Sequence, residues 1–257
     1  MASPSLSNTN LVRTFLPTLH SHPSPATDPE KTTLPLDFSV LIIGASRGIG
    51  ASTAIAYAQA GASTIILAAR STTQLEETQA LVTDVSASIK VLASLCDVAN
   101  SESVSSLATF VKGETNGNLD CIVLNAGYAG PGFVPNVTLG SPSDFRQILD
   151  INLLGCYHVA HYFIPLLLSS NGGKGVKQFF AVGSMAAWVT GGNLPHTAYS
   201  VSKYAQARVV EMVSEQFLEK GLLAVTVHPG GVRTRLIPEM PASVLPSTFR
   251  LPVLSPF

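Results

Sequence analysis

The chain has 257 residues, of which 46% are hydrophobic and 12% charged, with a formal net charge of −1. That length suits one large α/β domain, and that composition supports a sizeable core and argues against disorder over most of the chain. The near-zero charge, with no clustered Lys/Arg patch, gives no electrostatic reason to expect nucleic acid or an anionic membrane as partner, and no apolar run reaches the length of a membrane span.

Residues 1–36 stand apart. They are rich in Ser, Thr and Pro, carry no acid before Asp28, and hold a single arginine before Lys31. They have no apolar region of the secretory kind and no amphipathic helix period. An arm lying on the domain surface is the preferred reading, with a targeting peptide as the alternative. At residue 37 the pattern changes. SVLIIGASRGIG is an apolar run followed by Gly44, Gly48 and Gly50, spaced GxxxGxG. A buried parallel strand reads as such a run. Glycines directly after it let the chain turn sharply and bring backbone N–H groups close to a ligand. Residues 49–60 then read as an Ala-rich helix stopped by Gly61. Strand, glycine turn and helix N-terminus together make an anion site suited to a pyrophosphate; a glycine loop with no ligand is the bland alternative.

Strand-like runs recur near 63–69, 89–95, 119–125, 176–183 and 222–228, with helical patterns near 72–86, 100–112, 142–169 and 197–220. This alternation predicts βαβ units and a Rossmann-like, doubly wound parallel sheet of about six strands, helices on both faces, in one domain spanning 37–234. The second strand ends in Ala69 and Arg70. The third leads into Cys96-Asp97-Val98, the fourth into Asn125-Ala126-Gly127, and the fifth into Ser184. Asn152 lies within the long helical pattern INLLGCYHVAHYF. His158 and His161 share that helix without a third ligand in view, so no metal site is expected. Cys96, Cys121 and Cys156 lack metal spacing and read as buried free thiols in a reducing, cytoplasmic setting. Trp188 reads equally as packing or as lining for a substrate, and His196 reads as a loop or cap residue more than a substrate contact. After Thr234 come 23 residues bearing Pro238, Pro241, Pro246, Pro252 and Pro256, with no run long enough for a stable helix. This short tail, 235–257, is expected to stand outside the sheet.

YSVSK places Tyr199 and Lys203 four apart, on one face of a helix. A phenol ordinarily ionises near pKa 10, and an adjacent cation favours the phenolate. The pair is therefore suited to moving a proton near neutral pH, with the pKa of Tyr199 expected to fall.

Taken together, GASRGIG, Asp97, the NAG of Asn125–Gly127, Asn152, Ser184, YSVSK and HPGGVRT resemble the motif set of the classical short-chain dehydrogenase/reductase family. The resemblance runs from about Ser39 to Thr234, and TFLPTLHS is similar to an arm found in fungal members. It implies that Ser184, Tyr199, Lys203 and Asn152 form the catalytic set, with Tyr199 as acid/base, Ser184 orienting the substrate oxygen and Asn152 holding a water. It also implies a cofactor site of Gly44, Ser46, Arg47, Gly48, Ile49 and Gly50 at the phosphates, and Asp97 and Val98 at the adenine. Asn125, Ala126 and Gly127 would pack by its ribose, Tyr199 and Lys203 by the nicotinamide ribose, and Val232 and Thr234 at the carboxamide. NAD-preferring members carry an acid where Ala69 stands. Its absence, with Arg70 and Arg47 nearby, favours NADP(H), because arginine attracts a 2′-phosphate that a carboxylate repels. Ile43 departs from the family's usual threonine before the first glycine. Two functions stay open. One is an NADP(H)-dependent oxidoreductase interconverting a small-molecule carbonyl and its alcohol, in fungal secondary metabolism and as a homodimer or homotetramer. The other is a non-catalytic nucleotide-binding homologue whose short tail leaves the pocket without its wall.

Overall fold

The computed structural model describes residues 27–132, 136–188 and 197–230, with Val232, Thr234 and Leu236. Most of the N-terminal arm, His196 and nearly all of the proline-bearing tail lie outside the described residues, and with them the expectation that the tail forms no strand.

Six strands form one sheet: β1 Ser39–Ile43, β2 Thr64–Ala69, β3 Lys90–Leu95, β4 Cys121–Leu124, β5 Gln178–Val182 and β6 Leu223–Val227. Their order is β3-β2-β1-β4-β5-β6, and every pairing is parallel. The helices are α1 Gly48–Gln59, α2 Thr72–Val85, α3 Ser101–Glu114, α4 Pro142–Leu149, α5 Gly155–Ser169 and α6 Thr197–Phe217. This is the doubly wound Rossmann-like architecture expected from the alternating pattern, and each predicted element falls within a few residues of its observed bounds.

Both faces of the central strands are buried, which is why they are apolar throughout rather than alternating. Side chains of β1 point alternately to two cores. Val40 and Ile42 join Ile65, Leu67 and Val123 beneath Ala54 and Ala58 of α1 and Leu75 and Val82 of α2. Leu41 and Ile43 join Ile66, Ile122 and Phe179 beneath Val104 and Leu107 of α3, Val159 and Phe163 of α5 and Val210 of α6. Each such fully buried side chain contributes about 1.5–3 kcal/mol. The end of the arm adds to the first core: Leu34 packs against it and its N–H donates to Ala60 O at 3.0 Å.

The outer strands differ. β3 is half-exposed, and β6 exposes Leu223, Val225 and Val227 at alternate positions. The helical run Pro142–Gly173 is long and apolar enough to cross a membrane by length and composition, although no uninterrupted apolar stretch in the sequence suggested one. It lies inside this fold with 56% of its most apolar window buried, as a core helix does.

The strand order reverses between β1 and β4, so the loops leaving their carboxyl ends open a crevice there. Doubly wound sheets bind ligands at such a point.

Candidate active site

The loop after β1 is shaped by its glycines. Gly44 has φ +88°, and a Cβ there would stand 2.5 Å from Ala126 N. A Cβ on Gly50 would collide with Gly44 O. Asn125 fixes the same carbonyl, its Nδ2 donating to Gly44 O at 2.8 Å. The NAG loop after β4 therefore clamps the glycine loop after β1. The first turn of α1 is left open to a ligand. Side chains cap α2 and α3, where Ser71 accepts from Gln74 N and Asn100 from Ser103 N, but the Arg47 side chain makes no such bond at the start of α1. Uncapped N–H groups at a helix N-terminus, behind a glycine cradle, are the donor set that a pyrophosphate requires. Thr234 stands at the same place, its Cγ2 being 3.4 Å from a Cβ built on Gly48. The residues present fit a dinucleotide.

The remaining cofactor candidates line the same end of the sheet. Ala69 is buried at the end of β2, with Arg70 exposed beyond it. Arg47 is exposed within the glycine loop, and neither arginine is in an ion pair among the described residues. Asp97 is half-buried, and its Oδ1 accepts from Ala99 N at 3.1 Å. Val98 is buried against Gly155, where a Cβ would meet its Cγ2 at 2.8 Å. Ser46 and Ile49 are half-buried in the loop, and Val232 is half-buried with Thr234 beyond β6.

The four catalytic candidates converge from three elements. Asn152 sits in a π turn, Asp150–Leu154, that joins α4 to α5. Such single-turn bulges recur at functional sites because they re-aim a side chain. Asn152 is fully buried; its Oδ1 accepts from Tyr128 N at 2.8 Å, and its Nδ2 donates to Tyr128 O and to Ser202 Oγ. Ser202 in turn donates to Tyr199 O at 2.8 Å. Gly127 lies against both Asn152 and the lysine: a Cβ there would be 3.3 Å from Asn152 Oδ1 and 3.5 Å from Lys203 Nζ. Ser184 begins a 3₁₀ turn, Met185–Ala187, with its Oγ accepting from Ala186 N at 3.1 Å, and its hydroxyl lies near enough to the Tyr199 phenol to influence its ionisation.

The electrostatics differ from the sequence expectation. Tyr199 is 8% exposed, and burial raises its pKa above the ordinary phenol value, partly offset by the neighbouring Ser184 hydroxyl. The cation does not lower it, because Lys203 Nζ stands 5.8 Å from the ring centroid and donates elsewhere, to Val182 O at 2.7 Å and Gln206 Oε1 at 3.0 Å. Spacing in sequence put the two groups on one helix face; it did not say which acceptor the ammonium meets. Burial drops Lys203 itself to about 8, with Cys156 opposing slightly.

A cavity of about 300 Å³ opens beside Tyr199. Its walls are mostly apolar, including Ala129, Pro131, Val137, Phe145 and Ile148, with Asp144 the charged side chain among them. Trp188 does not belong to it. It is 65% exposed and packs edge-on against Tyr204, ring centroids 5.3 Å apart, over a separate hollow with Arg208 and Glu211. His158 is a structural residue: its Nδ1 bonds Val98 O at 2.9 Å. No cluster of metal-binding side chains occurs among the described residues.

Sequence reasoning missed Ser202, Gln206, Tyr128 and His228. The last accepts a bond on Nδ1 from Met185 N at 3.3 Å, tying the β6 loop to the Ser184 turn. Burial lowers its pKa, which suits this neutral, accepting role. Ser202 and Gln206 carry one available signal, as polar residues on the inner side of an otherwise apolar helix face.

The short chain dehydrogenase family model matches residues 39–243. The chain belongs to the short-chain dehydrogenase family. Short chain dehydrogenase pgmD of Aspergillus terreus is 32% identical over 228 residues, 86% of this chain and 72% of that protein. The NADPH-dependent pterin aldehyde reductase of Arabidopsis thaliana is 32% identical over 199 residues, covering 77% of this chain and 76% of its own. Among solved structures, a short-chain type dehydrogenase/reductase from Mycobacterium marinum superposes with a TM-score of 0.70 at 28% identity, covering 77% of this chain and 74% of that one. This short-chain dehydrogenase is thus a classical, fungal-type member of an oxidoreductase family that uses NAD(P)(H).

Proposed function

We propose that the protein is an NADP(H)-dependent oxidoreductase that interconverts an apolar, small-molecule carbonyl and its alcohol. The observation that carries this reading is a buried phenol, Tyr199, lining an apolar cavity, with the Ser184 hydroxyl beside it and the buried Lys203 ammonium 5.8 Å from its ring. When bound, the nicotinamide supplies or accepts the hydride. The chain's own residues do the rest. Ser184 orients the substrate oxygen through the hydroxyl that stands beside Tyr199. The phenol gives a proton to that oxygen in reduction and takes it back in oxidation. The phenol is protonated at neutral pH and can serve as the acid, although burial raises its pKa and makes it a weaker one. Lys203 keeps a buried positive charge 5.8 Å from the centre of the phenol ring. Asn152 holds the Tyr128 backbone, next to the Gly127 that lies against the lysine. The apolar cavity walls favour an apolar carbonyl.

Gly44, Ser46, Gly48, Ile49 and Gly50 would hold the pyrophosphate, Asp97 and Val98 the adenine, and Val232 and Thr234 the carboxamide. Arg47 and Arg70, charged, exposed and unpaired among the described residues, support a 2′-phosphate and hence NADP(H). The NADPH-dependent Arabidopsis relative supports the same choice. A role in fungal secondary metabolism rests on the resemblance of the N-terminal arm and on the Aspergillus relative.

The test is Tyr199→Phe, assayed by NADPH oxidation over a panel of apolar aldehydes and ketones beside an NADPH fluorescence titration. Turnover should fall by about 10²–10⁴-fold, with NADPH affinity within a few-fold of wild type, because the lost oxygen acts in the chemical step. Unchanged turnover, or equal loss of binding and turnover, would sink the assigned role.

A further inference from the structure

We infer that Gln206 is a positioning residue for Lys203: its side-chain carbonyl anchors the buried ammonium and fixes where that charge stands relative to the Tyr199 phenol. The inference rests on the role proposed above for Lys203 and deepens it.

Gln206 is 0% exposed and Lys203 2%, one helical turn apart on the inner face of α6. An ammonium has three donors and no acceptor. One of the three goes to Val182 O at 2.7 Å and a second to Gln206 Oε1 at 3.0 Å. One donor remains for the phenol side of the site. The two carbonyls therefore set both the place of the nitrogen and the direction of its last N–H. Packing does not explain a glutamine here. Its Nε2 is buried with no partner among the described residues, so a leucine of similar bulk would be the more stable choice. What glutamine supplies, and leucine does not, is an acceptor aimed at the lysine.

The charge depends on such acceptors. Among the described residues, the titratable groups that face the ammonium are Tyr199 from its own helix and Cys156 from α5. Burial pushes the Cys156 thiol up to about 12 and raises the Tyr199 phenol, so both are neutral near pH 7. With no carboxylate in this set, neutral carbonyl oxygens carry the work of keeping Lys203 protonated.

The experiment follows the titration of Lys203 itself, by the ¹³Cε shift in lysine-labelled protein, with the signal assigned through Lys203→Met. In Gln206→Leu the midpoint should fall by about one pH unit, since a bond to the charged form is lost. In Gln206→Glu it should rise by about one unit or more, since a carboxylate replaces the amide. A side chain that served packing alone would give no pair of shifts of opposite sign. Gln206→Met, which keeps the volume and has no carbonyl, should match Gln206→Leu, and a Met midpoint equal to that of wild type overturns the inference even if the glutamate variant does not fold. Turnover of phenanthrenequinone with NADPH should show its basic limb displaced in the same direction as each midpoint, with NADPH affinity within about threefold. Equal midpoints in wild type and Gln206→Leu, or shifts of one sign in both the Leu and Glu variants, overturn the inference. The titration needs no turnover, so it stands or falls apart from the Tyr199→Phe result that tests the function.

Discussion

At the scale of single residues, two side chains decide more than their neighbours. Lys203 is a cation held almost wholly away from water, and its ammonium survives there because two carbonyl oxygens receive it. Arg70 is the reverse, a cation left exposed at the end of β2, beyond the buried and uncharged Ala69. Charge-assisted bonds to a phosphate lose their strength when the cation is replaced by an anion. Arg70→Asp should therefore raise the dissociation constant for NADPH by about 10–100-fold while leaving NADH within about threefold. Fluorescence titration with both dinucleotides reads this directly, and wild-type protein binding NADH as tightly as NADPH would defeat the charge argument.

At the scale of elements, the site depends on the close approach of two loops. Gly44, Gly50, Asn125 and Ala126 interlock so tightly that no side chain has space at Gly50. In Gly50→Ala the new Cβ meets Gly44 O, so α1 must move away from the β4 loop. Overpacking of this kind costs about 1–3 kcal/mol, and the displaced helix start should lose most of its NADPH affinity. Urea unfolding and nucleotide titration on the same sample would check both halves; a variant with full affinity would mean that the cradle is looser than its geometry implies. The π turn at Asp150–Leu154 is the second such device, since it carries Asn152 inward to the Tyr128 backbone.

At the scale of the whole molecule, buried ionisable groups set the response to alkali. Burial pushes Cys96 to about 11 and Cys121 and Cys156 to about 12, from an ordinary value of 9. A raised folded pKa gives stability that is complete below the unfolded value and is lost as pH climbs toward the folded one. Lys203, lowered to about 8 from 10.5, works in the opposite direction and adds stability as pH rises between those values. Three thiols outweigh one lysine above pH 9, at about 1.4 kcal/mol per pH unit for each group. Thermal unfolding should therefore show stability declining between pH 9 and 10.5, and the decline should steepen in Lys203→Met, where the opposing gain is gone. Equal slopes in the two proteins would count against a depressed lysine. The outer surface makes a separate demand. Leu154 and Tyr157 beside α5, and Val201, Tyr204 and Met212 on α6, are exposed apolar side chains on helices that also build the site. We expect a second copy to cover them, so light scattering at micromolar concentration should give at least a dimer, and Tyr204→Asp should shift it toward monomer.

The order of strands and helices, the glycine loop, and the identities of Ser184, Tyr199 and Lys203 were legible in the sequence. They are local patterns: period in hydrophobicity, glycine where the chain must turn, and a four-residue step along one helix. Arg70 beside Ala69 was legible for the same reason, as a charge and a missing charge at a strand end. What required the tertiary structure was every relation between elements. Trp188 could be read as pocket or packing until its ring was found against Tyr204. Tyr199 was expected to ionise more easily, whereas burial raises it and the ammonium faces Val182 O and Gln206. Ser202 and Gln206 looked like ordinary polar helix residues, because sequence gives the helix face but not what lies opposite it. Local patterning thus determined the fold, and with the family resemblance it put forward the candidate groups for the chemistry. The three-dimensional packing decided their protonation, because desolvation and hydrogen-bond partners depend on chain segments far apart in sequence.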